Sequence, residues 1–315
     1  MDSFDALCRL SVRKITHENS GAGKRIKRFG LALKASPPFL SRAKQLIFLC
    51  GANKSAGNVS ERRSAIKRFV QSISPQLTVL YAEGIFSELA KLGNKTNALD
   101  IEHGISQVAD KIVIVLESES AFCELGAFAH KTLRDKLIVV NNSKFRNSLS
   151  FINTGPIAAA EEAKAPVLWY EMADDGVHRL DGIGEIFSKL RAAVKPESVR
   201  PTVIPYDELI DLGMRKSSLY FIHDLVLFTG PIRLDELIDV LKILFPEKKS
   251  FDAVKNLLGV LREGELLHTR STNGKWIYEA TSHEPFLRYV FDTAALTAAC
   301  REYHYKTEPS RYVRG

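Results

Sequence analysis

The sequence predicts an α/β protein: a doubly wound, parallel five-stranded sheet, followed by a smaller unit of three helices and a β-hairpin. Three observations carry that expectation. From Gln45 onward, short continuous apolar runs alternate with amphipathic helical stretches, the pattern of strands buried on both faces and joined by helical crossovers. Pro196, Pro201 and Pro205 then interrupt the alternation as a linker. Beyond them, three helical patterns lead into two strands around Asn273-Gly274, a dipeptide suited to a two-residue hairpin turn.

Taken in order, residues 1–44 read as a basic extension with short helical pieces, broken at Ser36-Pro37-Pro38. Lys24, Arg25, Lys27 and Arg28 cluster there with no acid among them. Gly21-Ala22-Gly23-Lys24 lacks the spacing of a full phosphate loop and reads as a flexible turn. Residues 45–195 form the α/β domain, with strands expected at 46–50, 78–81, 112–116, 137–140 and 167–170. Ser60 begins a helix with Ile66, Phe69, Val70 and Ile73 on one face. Further helices fit 85–92, 99–109, 122–133 and 183–193. Residues 196–284 hold helices at 217–228, 234–245 and 250–262, then strands at 266–270 and 276–280. That order is the winged-helix variant of the helix-turn-helix. Residues 285–315 read as one more helix and a polar tail.

The totals narrow the class. At 315 residues two domains are expected, and 45% hydrophobic with 26% charged residues is the balance of a soluble globular protein. No apolar run approaches the roughly 20 residues that span a bilayer, and Met1 to Ser20 lacks a signal-peptide core, so the expectation is a cytoplasmic protein. Cys8, Cys50, Cys123 and Cys300 are scattered, and the eight histidines form no ligand cluster, which argues against a disulfide framework or a metal site. A net charge of +7 leans toward a polyanionic partner.

Open parallel sheets bind ligands outside the carboxyl ends of their strands. That rule selects Gly51 after the first strand, Tyr81 and Glu83 after the second, Glu117, Ser118 and Glu124 after the third, and Asn141 after the fourth. Glu124 has apolar neighbours in Phe122, Leu125, Ala127 and Phe128. Near the start of a helix its carboxylate should be held ionised by the positive helix end, as attack on an anomeric carbon requires. A capping role competes with this reading, although position 121 is Ala where a capping box needs Ser or Thr. Asp100 and Glu102 open the preceding helix, and Asp110 falls at the opposite edge of the sheet.

The run Ala109-Asp110-Lys111-Ile112-Val113-Ile114-Val115-Leu116, with Glu117-Ser118 and then Ala121-Phe122-Cys123-Glu124-Leu125-Gly126-Ala127-Phe128, resembles the nucleoside 2-deoxyribosyltransferase family. The resemblance implies that Glu124 is a nucleophile forming a covalent glycosyl-enzyme, with Tyr81 and Glu102 orienting it and the sugar. A wider similarity, to retron effector proteins, rests on Leu46-Ile47-Phe48-Leu49-Cys50-Gly51, Tyr81-x-Glu83-x-x-Phe86, Phe151-Ile152-Asn153-Thr154-Gly155-Pro156 and Tyr289-Val290-Phe291-Asp292. It implies a deoxyribosyltransferase-like domain joined to a winged helix, and a role in anti-phage defence as a toxin restrained by a reverse transcriptase and its multicopy single-stranded DNA (msDNA). It also implies cleavage of NAD or another nucleotide, with NAD as a substrate and no bound cofactor, by an oligomer within a nucleoprotein complex. One departure stands out. The transferases carry an aspartate six residues before the nucleophile, where this chain has Ser118 beside Glu117. Assistance to the leaving group then falls to Glu117, or is unnecessary for NAD, whose nicotinamide leaves as a neutral base.

Lys255, Asn256 and Arg262 on the third helix, with Arg270 and Lys275 on the hairpin, are the expected nucleic-acid contacts, enough for phosphates but few for base edges. Two other classes compete. A regulator would bind nucleic acid through the winged helix and sense a nucleotide without turnover; sequence-specific duplex binding would mark it. A salvage enzyme would exchange bases among free nucleosides and leave the extra segments without a purpose.

Overall fold

The computed structural model describes residues 14–312 except 56, 94–96, 180, 197, 199 and 273. Cys8 and Asn273, singled out above, lie outside the described residues. The chain divides into two compact units, Lys44–Ser198 and Met1–Ala43 with Val199–Gly315.

Helix α1 (Gly21–Ala35) and the short β1 (Phe39–Leu40) come first. Gly21-Ala22-Gly23-Lys24, expected as a flexible turn, is the first turn of α1. Ser20 caps it by accepting from the Gly23 amide at 2.8 Å, and a Cβ at Gly23 would lie 2.1 Å from the His17 carbonyl oxygen, so only glycine fits. Ala22, Ile26, Phe29 and Leu33 turn inward, and α1 packs on helices of the C-terminal segment.

The unit Lys44–Ser198 contains β2 (Gln45–Cys50), the small hairpin β3 (Asn53–Ser55) and β4 (Asn58–Val59), α2 (Glu61–Ile73), β5 (Leu77–Leu80), α3 (Ala82–Lys91) and α4 (Ala98–Val108). There follow β6 (Lys111–Val115), α5 (Glu119–Phe128), β7 (Leu137–Asn142), α6 (Ala158–Glu162), β8 (Val167–Tyr170) and α7 (Phe187–Ala193). The strands form one parallel sheet in the order β5-β2-β6-β7-β8, flanked by helices. On one face Ile47, Leu49, Val79, Val113 and Val115 pack with Ile66 and Val70 of α2 and Leu190 of α7, and Phe69 stacks on Phe187 at 4.1 Å. On the other, Phe48 meets Phe128 of α5 at 6.0 Å. Alternate strand residues feed both cores, which is why the runs read as continuously apolar. A π-helical turn, Asn153–Ile157, carries Pro156 and leads into α6.

In the other unit come β9 (Thr202–Val203), α8 (Tyr206–Asp211), α9 (Lys216–Thr229), α10 (Leu234–Leu244), α11 (Ala253–Glu263), the hairpin β10 (Leu267–Thr272) and β11 (Lys275–Ala280), β12 (Leu287–Arg288) and α12 (Thr293–Thr307). Three helices and a hairpin follow one another here. β12, β1 and β9 make a small antiparallel sheet in that order, joining the N-terminal segment to this unit. Buried Asp224 of α9 accepts from the amides of Phe286 and Leu287 at 2.8 and 2.9 Å and from the Tyr289 hydroxyl at 3.0 Å. These bonds hold the segment leading into α12. Among the described residues no helix is long and apolar enough to cross a membrane.

Candidate active site

The strand order reverses between β2 and β6, and a doubly wound sheet opens its ligand crevice at that reversal. Gly51 leaves β2 there with φ +150°, letting the Ala52 amide donate to Glu117 Oε1 at 3.1 Å. A Cβ at Gly51 would stand 3.0 Å from both Arg63 Cδ and Glu117 Oε1. Gly51→Ala should therefore cost about 1–3 kcal/mol, read from urea unfolding, because the conformation is strained and two buried side chains must move.

Two arginines at the start of α2 organise the crevice. Ser60 caps α2, its Oγ accepting from the Arg63 amide at 3.1 Å and donating to Glu117 Oε1 at 2.5 Å. Arg62 donates to Glu117 Oε2 at 3.1 Å, to Ala173 O at 2.6 Å and through Nε to Asp181 Oδ2 at 3.0 Å. The Tyr170 hydroxyl and the Ala173 amide also donate to Asp181, at 3.1 and 2.8 Å. Glu117, expected as one of two answers to leaving-group assistance, thus has both oxygens engaged in a buried clamp. Burial raises its carboxyl, against the pull of Ser60 and Arg62.

Arg63 is fully buried and pairs in bidentate fashion with Glu83, at 2.8 and 3.0 Å. It also donates to Leu49 O and Asn53 Oδ1, each at 2.9 Å. Burial alone would raise the Glu83 carboxyl, but the Arg63 pair overrides it and holds it below the ordinary range. Tyr81 lies on the α2 face of the sheet, its ring 4.8 Å beneath the Arg63 guanidinium and its hydroxyl donating to Arg63 O at 3.4 Å. These contacts of Tyr81 are thus to Arg63, and none of them is to Glu124. Beside Tyr81 opens a cleft of about 500 Å³ lined also by Lys54, Ser55, Asn58 and Ser64.

Glu124, Glu102 and Glu83 come together with Cys50 and Arg63 at this end of the sheet. Glu124 Oε2 is buried and has no hydrogen-bond partner among the described residues. Burial first, then the nearby Glu102, push the Glu124 carboxyl up to about 8; Arg63 and the Cys50 thiol pull the other way, and Glu83 adds to the rise. Glu102 is itself raised by burial and by Glu83, and the Cys50 thiol is raised far by burial and Glu124. The expected ionisation by a helix end is thereby corrected. Helix α5 starts at Glu119 and is capped by Ser118, whose Oγ accepts from the Ala121 amide at 3.4 Å. Glu124 sits in the second turn, where the macrodipole has faded. It is not a capping residue either.

Asn141, the penultimate residue of β7, accepts from the Asn142 amide through Oδ1 at 2.8 Å. Asp110 accepts from the Leu46 amide at 2.7 Å and ties the two strand starts. Of the residues expected to meet nucleic acid, Lys255 and Lys275 lie on α11 and β11, as does Asn256 on α11. Arg262 instead donates to Thr269 Oγ1 at 3.0 Å, binding α11 to the hairpin, and Arg270 lies 3.9 Å from Glu279. Among the described residues no group of three or more His, Cys, Asp or Glu could hold a metal ion.

Arg62, Arg63, Asp181 and Cys50 were not anticipated as site residues. One signal was available: Arg63 lies on the same helix stripe as Ile66 and Val70, and a cation on an apolar stripe needs buried partners.

Residues 59–269 match the family model described as STM3845 retron effector protein. The chain is 38% identical over 281 residues to an Escherichia coli protein called Retron Ec73 putative ribosyltransferase/DNA-binding protein, covering 85% of this chain and 87% of that one. It is 34% identical over 112 residues, 35% of this chain and 36% of the other, to the Escherichia coli Retron Ec86 putative ribosyltransferase/DNA-binding protein.

Proposed function

The chain belongs to the STM3845 retron effector family, and on that footing we propose that its α/β unit cleaves the N-glycosidic bond of NAD or a related nucleotide, with Glu124 as nucleophile. The observation that carries this reading is the gathering of Glu83, Glu102 and Glu124 at the strand-order reversal, with one Glu124 oxygen buried and unpartnered. A protonated Glu124 cannot attack. A glycoside bearing a cationic ring would lower that carboxyl on binding and make the nucleophile where it is used. The nicotinamide ring of NAD is such a cation, whereas an ordinary nucleoside base is neutral.

In the proposed reaction a Glu124 oxygen bonds to the anomeric carbon as the carbon–nitrogen bond breaks. The electron pair of that bond goes to the ring nitrogen, and nicotinamide leaves neutral, needing no acid from Glu117. Water then attacks the glycosyl ester, Glu124 is regenerated and one proton is released. A base in place of water would make the step a transfer. Glu102, whose charge raises the Glu124 carboxyl, is the group proposed to take the proton of that water.

In the cell this activity would act as an anti-phage toxin restrained by the retron's reverse transcriptase and msDNA. α9, α10, α11 and the hairpin have the order of a winged helix, proposed as the docking unit for that complex. The test is to measure NAD and nucleotide pools in cells expressing wild type or Glu124→Gln, with and without the reverse transcriptase. A fall in NAD that depends on Glu124 and is suppressed by the partner is expected. Growth arrest that Glu124→Gln leaves intact would overturn the reading.

A further inference from the structure

The positive charge of this chain is concentrated at one end. Residues 1–43 hold nine Lys and Arg against three Asp and Glu, six of the seven excess positive charges. Much of that charge is carried by α1. Its inner face is locked by Ala22, Ile26, Phe29 and Leu33, so its outer face is a fixed surface. At 3.6 residues per turn, Lys24, Lys27, Arg28, Leu31 and Lys34 fall on one outward stripe, about 15 Å long, with Arg25 at its edge.

The placement is electrostatically wrong for the helix itself. No acid stands in its first turn, and four cations crowd its first two turns, at the positive end of the macrodipole. Cations at that end are unfavourable to the helix, so the helix alone gives no reason for them. Two of the stripe's cations are offset by surface acids, Lys27 by Glu18 at 3.2 Å and Lys34 by Glu247 at 3.5 Å, both solvent-exposed. Lys24 and Arg28 are exposed on the first two turns, with Arg25 half-buried beside them. By contrast, the third helix and hairpin of the same unit have Arg262 bound to Thr269 and Arg270 beside Glu279.

We infer that the outer face of α1, through Lys24, Arg25 and Arg28 with Lys27 and Lys34 at its margin, binds the phosphate backbone of a nucleic acid. The contact is to phosphates and not to base edges, since the stripe offers flexible cations around one exposed leucine and no amide or carboxylate to read bases. It is independent of the proposed glycosidic chemistry and needs neither Glu124 nor a substrate.

Counterion release provides the test. The full-length protein is titrated with a labelled 20-nucleotide mixed-sequence DNA strand, and separately with its duplex, across a series of salt concentrations. The variant Lys24→Gln/Arg25→Gln/Arg28→Gln should bind at least tenfold more weakly near 0.1 M salt. Its slope of log affinity against log salt should fall by about two on the single strand and nearly three on the duplex. The charge-conserving pair Lys24→Arg/Arg28→Lys should keep both affinity and slope, which separates lost charge from a damaged helix. A wild-type slope in the triple variant would overturn the assignment. So would the loss of binding appearing only in Lys255→Gln/Lys275→Gln.

Discussion

Glu124→Gln is expected to reduce glycosidic turnover by about 10⁴-fold or more while leaving the fold intact, because the amide cannot form the covalent intermediate. The same substitution should change how stability depends on pH. With the Glu124 carboxyl at about 8 in the folded chain against 4.5 as its ordinary value, folding favours the protonated form. That contribution is present in full below about 4.5 and is lost as pH rises toward 8, since the unfolded chain has already released the proton. Wild type therefore pays for the buried charge at pH 8.5, and the glutamine variant does not. The variant should be more stable there by on the order of 2 kcal/mol, allowing for partial exposure, which is roughly 4–8 °C in melting temperature. Near pH 4.5 the two should melt together. For the wild type, kcat/KM should climb with pH to a plateau above about 8, the free-enzyme value.

Arg62→Ala should be the most damaging single substitution to stability in the α/β unit. The arginine side chain is 4% exposed, and Glu117 and Asp181 are each 1% exposed. Removing it strands two buried carboxylates and the Ala173 carbonyl at once. The expected loss is about 3–5 kcal/mol, seen as a melting temperature lower by roughly 10 °C. Arg62→Lys should recover little, because one ammonium cannot reproduce the fork that reaches Glu117, Asp181 and Ala173 together. A loss below about 1 kcal/mol would mean that the clamp does not hold the crevice in shape.

The sheet was legible because each strand is apolar on both faces. The run at 167–170 matches β8 at both ends, and the others fall within a residue or two. The helix carrying Glu124 was placed three residues late, since apolar periodicity begins at Phe122 whereas the capping hydroxyl is that of Ser118. That shift moved Glu124 into the first turn and reversed the inference about its charge. The segment through Pro156 gave no helical signal, because proline argues against a helix interior unless a π turn accommodates it. β1, β9 and β12 are two residues each, too short for any periodicity. Glu83 and Glu124 could be found from the strands they follow, and Glu102, inside a helix, only through the family resemblance. What sets their ionisation could not, because Arg63 reaches Glu83 across twenty residues and Arg62 reaches Asp181 across 119.

The central claim is that Glu124 is the covalent nucleophile, and trapping tests it most directly. Purified protein would be incubated with NAD whose nicotinamide riboside carries 2′-fluorine in the arabino configuration, which slows the second step, and then mapped by peptide mass spectrometry. An adduct of the fluorinated sugar portion on the peptide bearing Glu124, absent in Glu124→Gln, is the predicted result. An adduct on another residue, or nicotinamide released from NAD by Glu124→Gln at the wild-type rate, would contradict it.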